Sequence, residues 1–259
     1  YANSLVRSIA GSRGIEGHEP VYAYFDLMFN RGDYRDKDII YVKKAIRPHL
    51  SRAMEEAGVP AYDIGVFMKR GMISENTLFK DPVRKTLQDL DADVIRTAKF
   101  VNMVQSAYML SDPHELSARL RIVPPPGGNT KQPWLGGESV WGLDFLGDGH
   151  SHAPPPPIPG MPAEQREKLT ATWNQIAEAW RARDAETVST AIATLAETLR
   201  AVEPSLYPAV DKLNLESWYF RWKAFVWNWI VYVMAAVPLL LFVIYRWRGA
   251  FRLGVGLLM

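Results

Sequence analysis

The chain has 259 residues, of which 48% are hydrophobic and 22% charged, and its 30 Lys and Arg residues almost balance 28 Asp and Glu residues. This length and composition are those of a folded protein with one or two hydrophobic cores. A net charge of +2 gives no reason to expect a nucleic-acid partner. The chain has no Cys, which excludes disulfides, Cys-ligated metal centres and thiol catalysis.

Residues 1–123 are predicted to form a mixed α/β domain. Apolar residues at helical spacing predict three helices, over residues 21–30, 44–57 and 81–110. Short apolar or alternating runs predict three strands, over residues 39–42, 61–68 and 116–123. The longest helix is expected to begin at Asp81 and Pro82, because Asp is a good N-cap and Pro suits the first helical turn.

Residues 124–162 are rich in Pro and Gly and are predicted to form a linker or a docked irregular loop, since this composition disfavours regular elements. Three aromatic residues indicate that part of the segment docks on a domain: Trp134, Trp141 and Phe145.

Two histidines of the same segment, His150 and His152, are the weak candidates for cofactor binding. Closely spaced imidazoles can bind a metal or haem iron, but the Pro/Gly-rich context favours a solvated segment. The sequence contains no Gly-rich phosphate loop, no G-x-S-x-G, no H-E-x-x-H and no calcium loop. No residue is therefore predicted to be catalytic or to bind a metal.

Residues 163–203 are predicted to form a helical hairpin. Apolar residues line one stripe of the first helix: Leu169, Trp173, Ile176 and Trp180. The corresponding stripe of the second helix is Val188, Ile192, Leu195, Leu199 and Val202. Asp184 is the expected N-cap of the second helix.

A membrane-spanning helix is predicted over residues 224–245, preceded by an interfacial segment over residues 204–223. The apolar run has no charged residue, and at about 1.5 Å per residue it can cross a hydrocarbon core of roughly 30 Å. Aromatic residues flank it as they do at membrane interfaces: Trp218, Tyr219, Trp222, Trp227, Trp229, Tyr232, Tyr245 and Trp247. These flanks favour a membrane helix over the alternative, a buried helix of a soluble protein.

Basic residues predict the orientation of this helix. Three cations follow it, namely Arg246, Arg248 and Arg252. They outnumber Arg221 and Lys223 on the other side, which places the C-terminal side in the cytoplasm and the N-terminal domain in the periplasm. Residues 253–259 are expected to begin a second membrane helix, and both ends of the chain have the character of cuts through a longer, multi-pass protein of a bacterial inner membrane.

The sequence LNLESWYFRWKAFVWNWIVYVMAAVPLLL resembles the segment before the first span of the CcsA/ResC-like part of System II cytochrome c synthases. That family often shows Glu, then Tyr-Asn, then Pro-Phe, then an aromatic-rich span with a Tyr. Four residues match this pattern: Glu216, Tyr219, Phe225 and Tyr232. Phe220 stands at the usual Asn and Ala224 at the usual Pro. The stretches DKDIIYVKKAIRPHL and RIVPPPGGNTKQPWL are also similar to extracytoplasmic parts of the family, some of whose members are ResB–ResC fusions.

The resemblance implies a role in cytochrome c biogenesis. Such synthases move haem across the membrane and attach it to the CxxCH thiols of apocytochrome c, so the full-length protein would be a haem lyase with apocytochrome c and a ResB-like half as partners. The family's WWD motif and haem-ligand histidines are not found in this sequence, so no haem ligand is carried over. The chain would be the extracytoplasmic fragment with the first span.

Two other functions remain open from the sequence, namely a non-enzymatic membrane-anchored sensor and an accessory subunit of a respiratory or photosynthetic complex. The predicted fold is mainly α with a minor β component: an extracytoplasmic α+β domain, a helical hairpin and then a transmembrane helix.

Overall fold

The computed structural model describes residues 1–128, 131–146, 155–222 and 224–258. The chain divides into two compact units, Tyr1–Leu206 and Tyr207–Met259. The described residues are 67% helical, with fourteen α-helices and only small antiparallel sheets. A mainly α fold with a minor β component is therefore confirmed.

The first unit carries eleven of the described helices and all four described strands. Its helices are α1 (Ala2–Ala10), α2 (Pro20–Phe29), α3 (Arg47–Glu56), α4 (Ala61–Arg70), α5 (Glu75–Leu78), α6 (Asp81–Asp91), α7 (Ala98–Leu110), α8 (Pro113–Arg119), α9 (Gly137–Trp141), α10 (Ala163–Arg181) and α11 (Ala185–Val202). Two short 3-10 helices cover Arg31–Tyr34 and Asp144–Leu146. The strands are β1 (Ile40–Tyr41), β2 (Met72–Ile73), β3 (Arg121–Val123) and β4 (Leu135–Gly136), which pair β1 with β2 and β3 with β4 in antiparallel fashion.

The strand predicted over residues 61–68 is wrong, because these residues form helix α4. A short apolar run does not distinguish a strand from a half-buried helix by itself. The helix ends at Gly71, whose left-handed φ of 75° suits glycine. The strand follows it as β2, with Ile73 paired to Ile40 of β1.

The single long helix predicted over residues 81–110 is also wrong, since α6 ends at Asp91 and α7 begins at Ala98. Between them Asp93 accepts the backbone N–H of Arg96 at 3.1 Å, and the Thr97 hydroxyl donates to the Leu90 carbonyl at 2.5 Å. Asp and Thr side chains that bond to nearby backbone compete with the helical pattern. Apolar residues keep a helical spacing across the break between α6 and α7, so this spacing alone does not reveal where the helix ends.

The edge strand predicted over residues 116–123 is limited to β3, because its first residues belong to α8. Asp112 caps α8 by accepting the backbone N–H of His114 at 2.8 Å, so the Asp112–Pro113 pair starts a new helix. Asp184 likewise caps α11, with the Thr187 N–H at 3.1 Å from its carboxylate, as the sequence predicts.

Part of the Pro/Gly-rich segment docks on the hairpin helix α10. The indoles of Trp141 and Trp173 stack with centroids 4.2 Å apart, and the Phe145 ring meets Trp173 edge-on at 5.9 Å. All three side chains are buried. The segment also contains regular elements, β4 and α9, which the sequence analysis did not expect. The hairpin and residues 1–123 consequently share one compact unit.

The second unit consists of α12 (Val210–Trp222), α13 (Ala224–Tyr245) and α14 (Arg248–Leu258). Pro238 lies inside α13. Helix α14 packs against α13, with the Phe242 and Phe251 rings 5.0 Å apart. Gly254 permits this approach, because a Cβ there would lie 2.7 Å from Leu239 Cγ. A second helix does follow α13, but it begins at Arg248 and not at residue 253 as predicted.

Replacing Gly137 by Ala tests the Trp141–Trp173 stack. A Cβ at Gly137 would lie 2.6 Å from Trp141 Cε2, so the buried indole must shift, and we expect Gly137→Ala to lower the free energy of unfolding by about 1–3 kcal/mol. Thermal unfolding of the purified chain, followed by near-ultraviolet circular dichroism, measures the change. The control is Gly65→Ala inside α4, where a Cβ meets nothing and where stability should be kept or raised by up to about 1 kcal/mol. Equal melting temperatures for Gly137→Ala and the wild type would contradict the predicted strain.

Candidate functional site

A buried carboxylate, Asp26 on α2, joins the N-terminal helices to the hairpin. Only 3% of Asp26 is exposed. The Tyr34 hydroxyl donates to its Oδ2 at 2.5 Å, while Asn30 Nδ2 and Trp180 Nε1 donate to Oδ1 at 2.7 and 2.9 Å. Arg183 Nη1 lies 3.3 Å from the same Oδ1. Since Trp180 belongs to α10 and Arg183 follows it, one carboxylate connects segments more than 150 residues apart in sequence.

The ionisation of Asp26 suits a structural role. Burial by itself raises the pKa of this carboxyl, but hydrogen bonds from Tyr34, Trp180 and Asn30 and the charge of Arg183 together hold its pKa below the ordinary value. Burial and the hydrogen bond to Asp26 raise the pKa of Tyr34. At neutral pH the pair is a fixed carboxylate and a neutral phenol. It therefore orients its neighbours and lacks the near-neutral pKa of a general acid or base.

A cavity of about 400 Å³ lies beside this cluster and is lined by Tyr22, Trp180, Arg183 and the apolar side chains Val188 and Ile192 among others. The Tyr22 and Trp180 rings are 5.2 Å apart. Arg183 adopts a left-handed backbone with φ 59° and donates to the Tyr22 hydroxyl. The cavity is an apolar surface recess whose cation is already neutralised by Asp26.

The candidate cofactor ligands His150 and His152 lie outside the described residues. His18 is placed against the Tyr22 ring, with centroids 4.5 Å apart, whereas His49 and His114 are exposed on α3 and α8. Over the described ranges, no group of three or more His, Asp or Glu side chains is arranged to hold a metal ion.

Within the described part of the chain, one helix is long and apolar enough to cross a membrane. The stretch Trp227–Tyr245 has 19 residues, a mean hydropathy of 2.1 and only 11% of its window buried. Water would therefore contact a nearly continuous apolar surface, which soluble proteins rarely present. This finding rests on length and composition, and it agrees with the helix predicted over residues 224–245.

The predicted interfacial aromatic residues are mostly exposed on these helices. Each of the following is more than half exposed: Trp218, Tyr219, Trp227, Trp229, Tyr232, Tyr245 and Trp247. The side chains of Trp222 and Phe225 lie outside the described part. Arg246 occupies the turn between α13 and α14 with φ 52°, and Arg248 and Arg252 lie on α14. Glu216 is exposed on α12.

The sequence pattern did not predict the Asp26 cluster. A usable signal was present, because Asp26 is the one charged residue of the apolar stretch VYAYFDLMFN, and a carboxylate in such a helix requires buried partners. The identities of those partners depend on the tertiary fold. Neither a protein-family model nor a curated protein matches the chain.

Replacing Asp26 by Asn should destabilise the protein in a pH-dependent way. At pH 7 the change replaces a buried carboxylate, which accepts from Tyr34, Asn30 and Trp180, by a neutral amide with a single acceptor oxygen, and we expect a loss of about 2–4 kcal/mol in the free energy of unfolding. The pKa of Asp26 is lower in the folded state than in the unfolded state. The ionised carboxylate therefore stabilises the protein at pH values above the unfolded pKa of about 3.9, and this stabilisation is lost as the pH falls through the folded pKa. The difference between wild type and Asp26→Asn should therefore shrink in the acid range.

Urea unfolding at neutral pH and at several acidic pH values measures this difference. Asp89→Asn is the matched control, since Asp89 is exposed and forms no ion pair with a described residue. It should change stability by less than about 0.5 kcal/mol. A pH-independent loss in Asp26→Asn would show that packing, and not the buried charge, dominates.

Proposed function

We propose that this chain is the extracytoplasmic and membrane-proximal part of a cytochrome c biogenesis protein, which delivers haem and attaches it to apocytochrome c. The observation that carries the proposal is the sequence ESWYFRWKAFVWNWIVYV, which resembles the segment before the first span of CcsA/ResC-like synthases at Glu216, Tyr219, Phe225 and Tyr232. The full-length protein would be a haem lyase, and this part would hold or position its partners.

The order of the structural units supports this function. A compact unit, Tyr1–Leu206, precedes the aromatic-rich helix α12 and the apolar helix α13. The Asp26 cluster and the Trp141–Trp173 stack hold the first unit together at two places. A compact body held together in this way is suited to bind protein partners, here apocytochrome c and a ResB-like half.

The proposed location is a bacterial inner membrane, with the first unit in the periplasm. The cations Arg246, Arg248 and Arg252 follow α13 closely and favour a cytoplasmic turn. In this proposal helix α14 would begin a second crossing, and the protein would be multi-pass. A return toward the membrane after so short a turn also favours this function over a sensor, whose signalling domain would follow its last span.

Haem chemistry is not assigned to any residue of this chain. The described histidines His18, His49 and His114 lie on separate parts of the first unit, and the described residues contain no cluster of metal-ligating side chains. The WWD motif of the resembled family is not found in the sequence. In the proposed protein this part contributes partner and membrane contacts, and the resemblance carries no haem ligand over to it.

Single cysteines test the proposed topology, because the chain has none of its own. In spheroplasts, a membrane-impermeant maleimide should label Thr190→Cys on the exposed face of α11 and should label Trp247→Cys only after permeabilisation. The Cys-free parent is the control and should remain unlabelled. The reverse labelling pattern would overturn the proposed orientation.

Covalent haem attachment tests the function itself. In a bacterial host without its own cytochrome c synthase, the complete reading frame that contains this chain should produce a haem-stained c-type cytochrome that survives denaturing electrophoresis. A reporter with AxxAH in place of CxxCH should remain unstained. Absence of stained cytochrome, with the protein present in the membrane, would favour the accessory-subunit or sensor functions instead.

A further inference from the structure

A cleft of about 660 Å³ lies in the first unit between α1, α7 and the residues around β1. Three cations line it, namely Arg7 from α1, Lys43 beyond β1 and Lys99 from α7. Tyr41, Met103 and Leu110 supply aromatic and apolar surface in the same cleft. Its volume lies in the range of small-molecule sites, which is roughly 300–1,000 Å³.

The segments that line the cleft carry only positive charge. The lining stretches, residues 4–11, 41–43 and 99–110, contain Arg7, Lys43 and Lys99 and no Asp or Glu. A cleft with one sign of charge and no carboxylate attracts anions.

The three lining cations have no carboxylate partner among the described residues. The ion pairs of the first unit join other residues, for example Arg31 with Glu75 and Lys37 with Glu16. Lys43 instead lies over the Tyr41 ring, with its Nζ 5.3 Å from the ring centroid. Surface cations of a folded protein are usually interspersed with acids, so this segregation points to an external anion.

The aromatic floor of the cleft is fixed in place. The guanidinium of buried Arg47 lies 5.5 Å from the Tyr41 centroid and donates to the Val42 and Met68 carbonyls at 2.9 and 3.1 Å. Gly11, with φ 66°, also packs closely against Tyr41, since a Cβ there would lie 2.6 Å from Tyr41 Cγ. These contacts hold the Tyr41 ring in place, so its position in the cleft does not depend on a ligand.

We propose that this cleft binds an organic phosphate, with the phosphate near Arg7, Lys43 and Lys99 and an aromatic or apolar body on Tyr41, Met103 and Leu110. A phosphate ester carries close to two negative charges at neutral pH and matches several cations better than a single carboxylate does. This site is separate from the Asp26 cluster and does not depend on the proposed function.

Calorimetric titration of the full chain in phosphatidylcholine nanodiscs tests the site with 1-naphthyl phosphate. We expect saturable binding of this probe, at least tenfold weaker binding of 1-naphthol, which lacks the charge, and at least threefold weaker binding of inorganic phosphate, which lacks the body. Equal affinity for 1-naphthol would overturn the anion site, and equal affinity for inorganic phosphate would overturn the role of the apolar floor.

Paired charge reversals locate the binding. Lys43→Glu with Lys99→Glu should weaken 1-naphthyl phosphate at least tenfold, whereas Lys43→Arg with Lys99→Arg should keep most of the affinity. The matched control is Lys69→Glu with Lys85→Glu, which makes the same change in net charge at exposed positions that do not line the cleft. Arg7→Glu provides an independent test from another helix. Equal binding by the cleft and control variants, with all variants folded by circular dichroism, would overturn the proposal.

The phosphate could belong to a free molecule or to a lipid headgroup, and the nanodisc composition separates the two sources. Phosphatidic acid in the discs should leave 1-naphthyl phosphate binding unchanged if the cleft takes a free ligand. If the cleft takes a lipid phosphate, the same lipid should compete with the probe, and the competition should disappear in Lys43→Glu with Lys99→Glu. Competition that persists in that variant would count against the cleft.

Discussion

The buried carboxylate of Asp26 joins α2, near the start of the first unit, to the end of the hairpin helix α10. Removing a charge from water is costly, and here the cost is offset by three hydrogen-bond donors and one guanidinium converging on two oxygens. Because two of those partners, Trp180 and Arg183, come from the end of α10 and the turn after it, the charge can be buried only when α2 and the hairpin are correctly placed. The Asp26 cluster thus makes their relative position specific.

The same hairpin helix also orders the Pro/Gly-rich segment. Trp173 receives the Trp141 indole and the Phe145 ring, while Arg166 donates to the Val140 and Pro155 carbonyls at 2.9 and 2.6 Å. Irregular backbone has few internal partners for its carbonyls, so an arginine on a neighbouring helix supplies them. Part of the Pro/Gly-rich segment is in this way fixed on α10, so the hairpin holds both this segment and α2.

Charge and apolar surface are distributed unevenly along the chain, and the two proposals rest on this distribution. The apolar helix α13 leaves most of its surface without protein partners, which a lipid bilayer would satisfy. The cleft lined by Arg7, Lys43 and Lys99 leaves positive charge without carboxylates, which an anion would satisfy. The exposed apolar surface of α13 calls for a hydrocarbon layer, and the cations of the cleft, which have no carboxylate partner among the described residues, call for an anion such as a phosphate.

The sequence by itself determined the features whose physics is local. A run of apolar residues without charge defines α13, and an Asp followed at the third position by a bonded N–H defines the cap of α11. Only the tertiary structure decided whether residues 61–70 form a strand or a helix, where the helix after Asp81 breaks, and which partners surround Asp26. Those outcomes depend on groups distant in sequence: the carboxylate–indole bond spans 154 residues, and the cleft assembles three acid-free segments. Short-range spacing carries no information about such encounters, because folding brings these groups together only after the local elements pack.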